Sequence, residues 1–253
     1  GTLAFDGGTL NTTGALTLAN AVTLGAGGGT VLTGADTTLS GVISGAGALV
    51  KTGAANLTLS GANTYTGGTT VSAGTLTGTT TSLQGNIVNN AAVVFDQTTS
   101  GTYAGNLTGT GTLTKSNTGS VTLSGVNTYS GATTIAGGTL IAAGTGVGDS
   151  SAVTVNAGAL FQLTGDETVG SVAGAGDVDT GAFTLTAGYS FTKVPSNTIV
   201  VICSTKSSKE PFWGLYHSTV QFSAPITNRR AMVAPMSRRN SPRCIASSSS
   251  ASQ

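Results

Sequence analysis

The sequence predicts an all-β fold whose larger part is a parallel β-helix, or solenoid, and three observations support this. The segment LSGANTYTGGTTVSAGTL, Leu59 to Leu76, returns as LSGVNTYSGATTIAGGTL, Leu123 to Leu140, with twelve identical positions. Leucine and valine alternate with threonine and serine around each copy, which is the period of a strand with one buried face. Glycine supplies 39 of the 253 residues and charged residues only 8%, a composition that favours short strands and tight corners over helix.

The two copies stand at a fixed offset of 64 residues, and the similarity extends over residues 38–76 and 102–140. A sandwich or barrel gives no reason for such copies. In a parallel β-helix each coil stacks on the one before, so equivalent positions become neighbours, with leucine over leucine inside and threonine over threonine outside. If a coil takes roughly twenty residues, the offset is about three coils; the coil length itself stays open.

Each copy carries the same predicted structural residues. Counting by twos from Leu59 reaches Tyr65 and Val71 but not Leu76, so the chain must bend before Leu76, and glycine accepts that bend. We expect the asparagines to hydrogen-bond up the solenoid or to cap their own turn, and the tyrosines to pack inward instead of forming exposed contacts for a glycan or protein. The motif residues are Leu59, Asn63, Tyr65, Gly67, Gly74 and Leu76, and their counterparts Leu123, Asn127, Tyr129, Gly131, Gly138 and Leu140.

The composition changes near residue 190. All five prolines, both cysteines, both methionines, the tryptophan and the histidine follow it, and the formal charge is −6 up to Ser190 and +7 beyond. We therefore predict two parts: a solenoid over residues 1–190, and a poorly structured basic tail rich in Ser, Arg and Pro over residues 191–253. The tail is expected to be either disordered chain or a frame-shifted translation.

A family resemblance follows from the ordered motifs of each copy. Gly-x-Gly-x-Leu-x-Lys stands at 45–51 and 109–115, and is followed by Leu-Ser-Gly-x-Asn-Thr-Tyr, Gly-x-Thr-Thr and Gly-Thr-Leu. This pattern resembles the autotransporter-associated β-strand repeat, also called the passenger-associated transport repeat. The segment FQLTGDETVGSVAGAGDVDTGAFTLTAG from Phe161 is similar to the linkers that such passengers place between repeats.

The resemblance implies a right-handed parallel β-helix that forms part of the passenger of a bacterial type V autotransporter. Such a passenger is displayed at the cell surface or outer membrane, or is secreted, and the repeat assists folding during export without being a catalytic site. The implied partners are the protein's own C-terminal β-barrel, the outer-membrane assembly machinery and a host or neighbouring-cell surface. Residues 191–253 are too short to be that barrel, and the chain begins without methionine, so we expect a fragment.

Three functions remain in competition. The leading prediction is a non-catalytic structural or adhesive surface passenger. The alternative is the inert stalk of a larger secreted enzyme whose catalytic domain lies upstream of Gly1. A third hypothesis is a cytosolic or wall-associated filament protein unrelated to secretion.

Local motifs point to no catalytic, cofactor-binding or metal-binding residues. Ser150 follows Gly-Asp as some serine nucleophiles do, but it needs a base, and the sole histidine, His217, stands in the tail. Asp177 and Asp179 form only part of one calcium-roll repeat. The segment GAGGGT from Gly25 lacks the lysine of a phosphate loop.

The tail offers charge and thiols without a defined site. Its arginines could contact nucleic acid or an anionic membrane, yet we expect flexible chain and no nucleic-acid partner. Cys203 and Cys244 could pair in an oxidising compartment, and their distance does not follow from the sequence. The arginines are Arg229, Arg230, Arg238, Arg239 and Arg243.

Overall fold

The computed structural model describes residues 1–189, 201–202 and 219–220. The chain divides into two compact units, Gly1–Pro195 and Ser196–Gln253. The described part contains strands and turns without any helix, as the composition predicts, and therefore no helix that could cross a membrane. Apart from the two short strands given below, the predicted tail of residues 191–253 lies outside the described residues.

Residues 1–189 form 24 short strands. They are β1 (Leu3–Phe5), β2 (Gly8–Thr12), β3 (Leu16–Leu18), β4 (Val22–Leu24), β5 (Gly29–Thr33), β6 (Thr37–Leu39), β7 (Ile43–Gly45), β8 (Leu49–Thr52), β9 (Asn56–Leu59), β10 (Thr69–Val71), β11 (Thr75–Gly78), β12 (Ile87–Asn89), β13 (Ala92–Asp96), β14 (Gly101–Tyr103), β15 (Leu107–Thr108), β16 (Thr112–Ser116), β17 (Ser120–Leu123), β18 (Thr133–Ile135), β19 (Thr139–Ala142), β20 (Ala152–Val155), β21 (Leu160–Leu163), β22 (Glu167–Gly174), β23 (Asp177–Asp179) and β24 (Leu185–Tyr189). In the second unit β25 (Val201–Ile202) pairs antiparallel with β26 (Thr219–Val220).

The strands of the first unit form the faces of a solenoid of about nine turns. One face is a six-stranded sheet from β2 to β15, and a second is a ten-stranded sheet from β3 to β24. The third face is the three-stranded sheet β1-β4-β7 in the first coils and the five-stranded sheet β14-β17-β19-β21-β23 in the later coils. Every pairing is parallel, and the paired residues lie 17 to 21 positions apart. The predicted parallel β-helix is therefore confirmed.

The interior is a stack of apolar side chains taken from alternate positions of each strand. Leu39 pairs in register with Leu59, and Leu57 pairs with Leu76; all four are buried. Each such leucine contributes about 1.5–3 kcal/mol of apolar burial. A coil contains few of them, so stability must accumulate from contacts between coils.

The two copies of the repeat do not lie on the same faces, and here the expected stacking needs correction. In the first copy β8 and β10 belong to the six-stranded sheet, but their counterparts β16 and β18 belong to the ten-stranded sheet. Likewise β9 and β11 lie in the ten-stranded sheet, and β17 and β19 lie in the five-stranded sheet. The offset of 64 residues therefore spans three coils and one further face. Some like residues stack between successive coils, as Leu39 does on Leu59, whereas the two copies are rotated about the solenoid axis.

Candidate functional site

Asn63 and Asn127 bridge three successive coils. Asn63 lies between β9 and β10, where the chain forms no strand, and its side chain is buried. Its Oδ1 accepts the backbone N–H of Ile43 in the preceding coil (2.7 Å), and its Nδ2 donates to the carbonyl of Ser82 in the next coil (2.7 Å). An amide carries both a donor and an acceptor. It therefore supplies the inter-coil bonds that a strand would otherwise make.

Asn127 repeats this arrangement in the second copy, which lies three coils later and one face further round the solenoid. Its Oδ1 accepts from the N–H of Leu107 (2.6 Å) and its Nδ2 donates to the carbonyl of Gly146 (2.7 Å). Of the two roles that the sequence left open for these asparagines, bonding along the solenoid is the one observed. We refer to each such side chain as a rung.

Tyr65 and Tyr129 lie in the interior, as predicted from their even spacing from Leu59 and Leu123. They are 2% and 1% exposed, and each hydroxyl forms a hydrogen bond with a buried threonine, Tyr65 with Thr69 (2.7 Å) and Tyr129 with Thr133 (2.6 Å). Burial raises the pKa of the Tyr65 hydroxyl. These tyrosines are therefore part of the packed interior and not a contact surface for glycans.

Lys51 and Lys115 are central to the repeat, although the sequence analysis assigned them no role. Both are fully buried. The Lys51 amine donates to the carbonyls of Thr52 (3.1 Å), Gly53 (2.8 Å) and, one coil on, Ala73 (2.8 Å). The sequence contained a signal for this burial. Leu49 and Lys51 alternate with Val50 and Thr52, so Lys51 faces the same inward side as Leu49.

Lys115 makes the same three contacts. Its amine donates to the carbonyls of Ser116 (2.6 Å), Asn117 (2.8 Å) and Gly137 (3.2 Å). Burial lowers the pKa of both amines, and the charge of Asp96 acts in the opposite direction on the pKa of Lys115. Three carbonyl acceptors match the three donors of an ammonium group. The lysine thus ties the corner of one coil to the corner of the next.

The motif glycines make room for the three carbonyl contacts of each lysine, Lys51 or Lys115, which we call the clamp. Gly74 and Gly138 have φ of +69° and +62°, a conformation that favours glycine. A Cβ at Gly74 would also meet the carbonyl oxygens of Gly53 and Ala55 and, at 2.7 Å, the Lys51 amine. Gly67 and Gly131 do not have positive φ, but a Cβ there would press on the backbone of the coil below, at Ala48 and Gly111.

The four motif leucines all face the core. Their exposed fractions do not exceed 1%, and they extend the apolar stack on either side of the asparagines. They are Leu59, Leu76, Leu123 and Leu140.

The other sequence motifs do not form a site in the described residues. Ser150 and Asp149 lie exposed on a turn. Asp177 and Asp179 are exposed on β23, where Asp179 accepts a hydrogen bond from Gln162 (3.1 Å). No three His, Cys, Asp or Glu side chains of the described part come together to hold a metal ion.

In the glycine-rich segment from Gly25, the N–H of Gly27 donates to the carboxylate of Asp6 (2.6 Å). The remaining candidates of the tail fall outside the described residues. They are His217, Cys203, Cys244 and the five arginines.

The shared role of the repeat side chains is structural: Lys and Asn tie backbone groups of successive coils in the interior, and Tyr bonds to a buried threonine of its own coil. Among the described residues, buried side-chain nitrogen and oxygen atoms all have hydrogen-bond partners. Because unsatisfied buried groups destabilise a fold by about 1–3 kcal/mol each, these ties specify how one coil sits on the next.

Comparison with known proteins matches this same region. The family model described as Passenger-associated-transport-repeat matches residues 49–77 and 113–142, which include both lysines and both rungs, so the predicted resemblance is confirmed. Over 120 residues the chain is 54% identical to the Adhesin BmaC autotransporter of Brucella suis biovar 1 (strain 1330). That alignment covers 45% of this chain and 4% of the adhesin, so the chain spans a small part of its relative. No solved structure matches significantly.

Proposed function

Because this chain carries two passenger-associated transport repeats, we propose that it is part of the passenger of a bacterial type V autotransporter and has a structural and adhesive role. It is exported to the cell surface or outer membrane, or released from it. The observation that carries this proposal is the 54% identity over 120 residues to an autotransporter adhesin. The parallel solenoid supports it, since stacked coils make an extended stalk.

The side-chain ties between coils support a role of the repeat in export. During secretion the coils must fold as they emerge, and a coil is stable only when it docks on a neighbour. Each repeat supplies side-chain ties that reach across coils, from Lys51 to Ala73 and from Asn63 to both Ile43 and Ser82. We expect such a unit to form early and to act as the template for the coils that follow.

An adhesive surface is offered by the outer side of the ten-stranded sheet. A column of outward side chains pairs in register from coil to coil, and all but one are threonines, which present a hydroxyl and a methyl group at each step. The column consists of Thr17, Thr38, Thr58, Thr77, Val94, Thr114, Thr134 and Thr154. We propose that a host or neighbouring-cell surface binds here.

Surface display is tested in the intact gene with an epitope inserted at the exposed turn of Ala157 and Gly158. Antibody should label intact cells, and external protease should remove the label. Labelling that requires cell lysis would contradict export and favour an intracellular filament protein.

Adhesion is tested with lysine substitutions at two non-adjacent threonines, Thr38→Lys and Thr134→Lys. The control pair, Thr30→Lys and Thr70→Lys, places the same charges on the outer side of the six-stranded sheet. Only the first pair should reduce cell binding. If neither pair matters and a secreted enzymatic activity maps to another part of the gene, this stretch is an inert stalk.

A further inference from the structure

Glu167 occupies the position of a rung. Asn63, Asn127 and Glu167 each donate their backbone N–H to a threonine carbonyl in the next coil, and the distances are 3.2, 3.1 and 2.9 Å. The three threonines are Thr81, Thr145 and Thr184. The shared backbone bond shows that the three side chains begin from the same place in their coils.

The side chain of Glu167 reproduces the half of a rung that faces the preceding coil. Its Oε2 accepts the N–H of Gly146 (3.0 Å) and its Oε1 accepts the N–H of Val147 (3.3 Å). Both donors belong to the preceding coil, as Ile43 does for Asn63. Glu167 is only 3% exposed.

What differs is charge. The two asparagines are neutral at every pH, whereas Glu167 bears a negative charge when ionised. The only lysines of residues 1–189, Lys51 and Lys115, direct their amines to backbone carbonyls of other coils. Within the described residues no cation faces the Glu167 carboxylate.

The groups around Glu167 disfavour its charge further. Burial and the negative charge of Asp149, in the preceding coil, raise the pKa of Glu167. Tyr129 lies one coil before Asp149, and burial and the charge of Glu167 raise the pKa of the Tyr129 hydroxyl. The neighbouring Asp166 is exposed. From the next coil, Thr184 to Ala187 contribute no titratable side chain.

We propose that Glu167 is a protonation-dependent rung: when neutral it holds its coil to the preceding one through the N–H groups of Gly146 and Val147, and when ionised its uncompensated buried charge loosens this contact. The solenoid thereby contains a pH-sensitive segment, at β20, β22 and β24, that the two repeats lack. The partners of the switch are the backbone N–H groups of Gly146 and Val147.

The direction of the pH dependence follows from the proton affinity of the buried carboxyl. Burial raises the pKa of Glu167 from 4.5 to about 7, against the N–H donors of Val147 and Gly146, which lower it. Because the folded-state pKa lies above the unfolded value, the native state binds the proton more tightly. The stability that Glu167 contributes is complete below about pH 4.5 and is lost as the pH rises through about 7.

The test compares the full chain with its Glu167→Gln variant at about pH 5 and about pH 8. The wild-type midpoint temperature should fall by roughly 5 °C over this range, and the variant should show a smaller fall. Hydrogen exchange, corrected for its intrinsic pH dependence, should show the loss of protection in residues 144–187 and not in residues 43–82. Asp166→Asn is the matched control, since it removes the adjacent exposed charge and keeps the oxygen that accepts the N–H of Thr184 (2.7 Å).

Three results would overturn the proposal. If Glu167→Gln and wild type lose stability in parallel with rising pH, the dependence arises elsewhere. If the variant is less stable than wild type at about pH 8, the ionised carboxylate is the form that the N–H groups of Gly146 and Val147 hold. An equal effect of Asp166→Asn would likewise contradict a role specific to Glu167.

Discussion

Lys51 and Lys115 are equivalent residues of the two repeats, and they make the same three carbonyl contacts although they lie on different sheets of the solenoid. Lys51 pairs in register with Val31 and Val71 in the six-stranded sheet. Lys115 pairs with Phe95 and Ile135 in the ten-stranded sheet. The lysine and its three carbonyl acceptors all lie within one copy of the repeat. The clamp therefore forms on whichever sheet the repeat occupies.

Lys51→Met should destabilise the chain, because it keeps an apolar stem and removes the ammonium group. The carbonyls of Thr52, Gly53 and Ala73 would lose their donor. With about 1–3 kcal/mol for an unsatisfied buried group, we expect a loss of about 3 kcal/mol in the free energy of unfolding, measured by urea titration followed by circular dichroism. Val50→Met, on the outward side of the same strand, is the control. Equal midpoints for both variants would show that the clamp contributes nothing.

Asn63→Ala should destabilise the chain more than Asn63→Asp does at about pH 3, where the aspartate is neutral. Alanine leaves both the N–H of Ile43 and the carbonyl of Ser82 without a partner, whereas the neutral aspartic acid keeps an acceptor for the N–H of Ile43. We expect the alanine variant to lose about 2 kcal/mol or more in thermal unfolding. Asn156→Ala, at an exposed position, should be neutral. If alanine and aspartate behave alike, the bond to Ile43 is not part of the rung's contribution.

Leu59→Ala and Leu123→Ala should lower the free energy of unfolding by similar amounts, about 2–5 kcal/mol each, on the scale of core truncations. Both leucines are buried at equivalent positions of the two copies. Ser60→Ala, exposed next to Leu59, serves as the control in the same thermal melts. A Leu59→Ala variant as stable as wild type would refute its inward orientation.

Gly74→Ala should be more damaging than Gly158→Ala, although both glycines have positive φ, +69° and +79°. A Cβ at Gly158 meets nothing within 4 Å, whereas at Gly74 it meets the carbonyl oxygens of Gly53 and Ala55 and, at 2.7 Å, the Lys51 amine. The backbone strain of about 1–2 kcal/mol applies to both, and the crowding adds about 1–3 kcal/mol at Gly74 alone. Denaturant titration of the two variants measures the difference, and equal losses would mean that the backbone of the preceding coil shifts freely to accommodate the Cβ.

The accuracy of the sequence predictions depended on the range of the interaction. Parity along a strand is local, so the inward orientation of Leu59 and Tyr65 followed from spacing, as did the bend at Gly74. The partners of Asn63 could not be identified, because Ile43 and Ser82 lie about one coil away in opposite directions and the coil length was open. Glu167 passed unnoticed as a rung because its counterparts are asparagines, and only the backbone bond to Thr184 reveals the equivalence.

The sequence by itself determined the parallel solenoid, its apolar interior and its repeat family, because periodicity and repetition are local properties of the chain. Only the tertiary structure decided that the two copies are rotated by one face, because three coils from Leu49 end at Leu107 and the equivalent Leu113 lies one face further. It also decided that Lys51 and Lys115 are fully buried. A lysine can lie in such an interior only where three backbone carbonyls converge on its amine, and that convergence exists only after the coils have stacked.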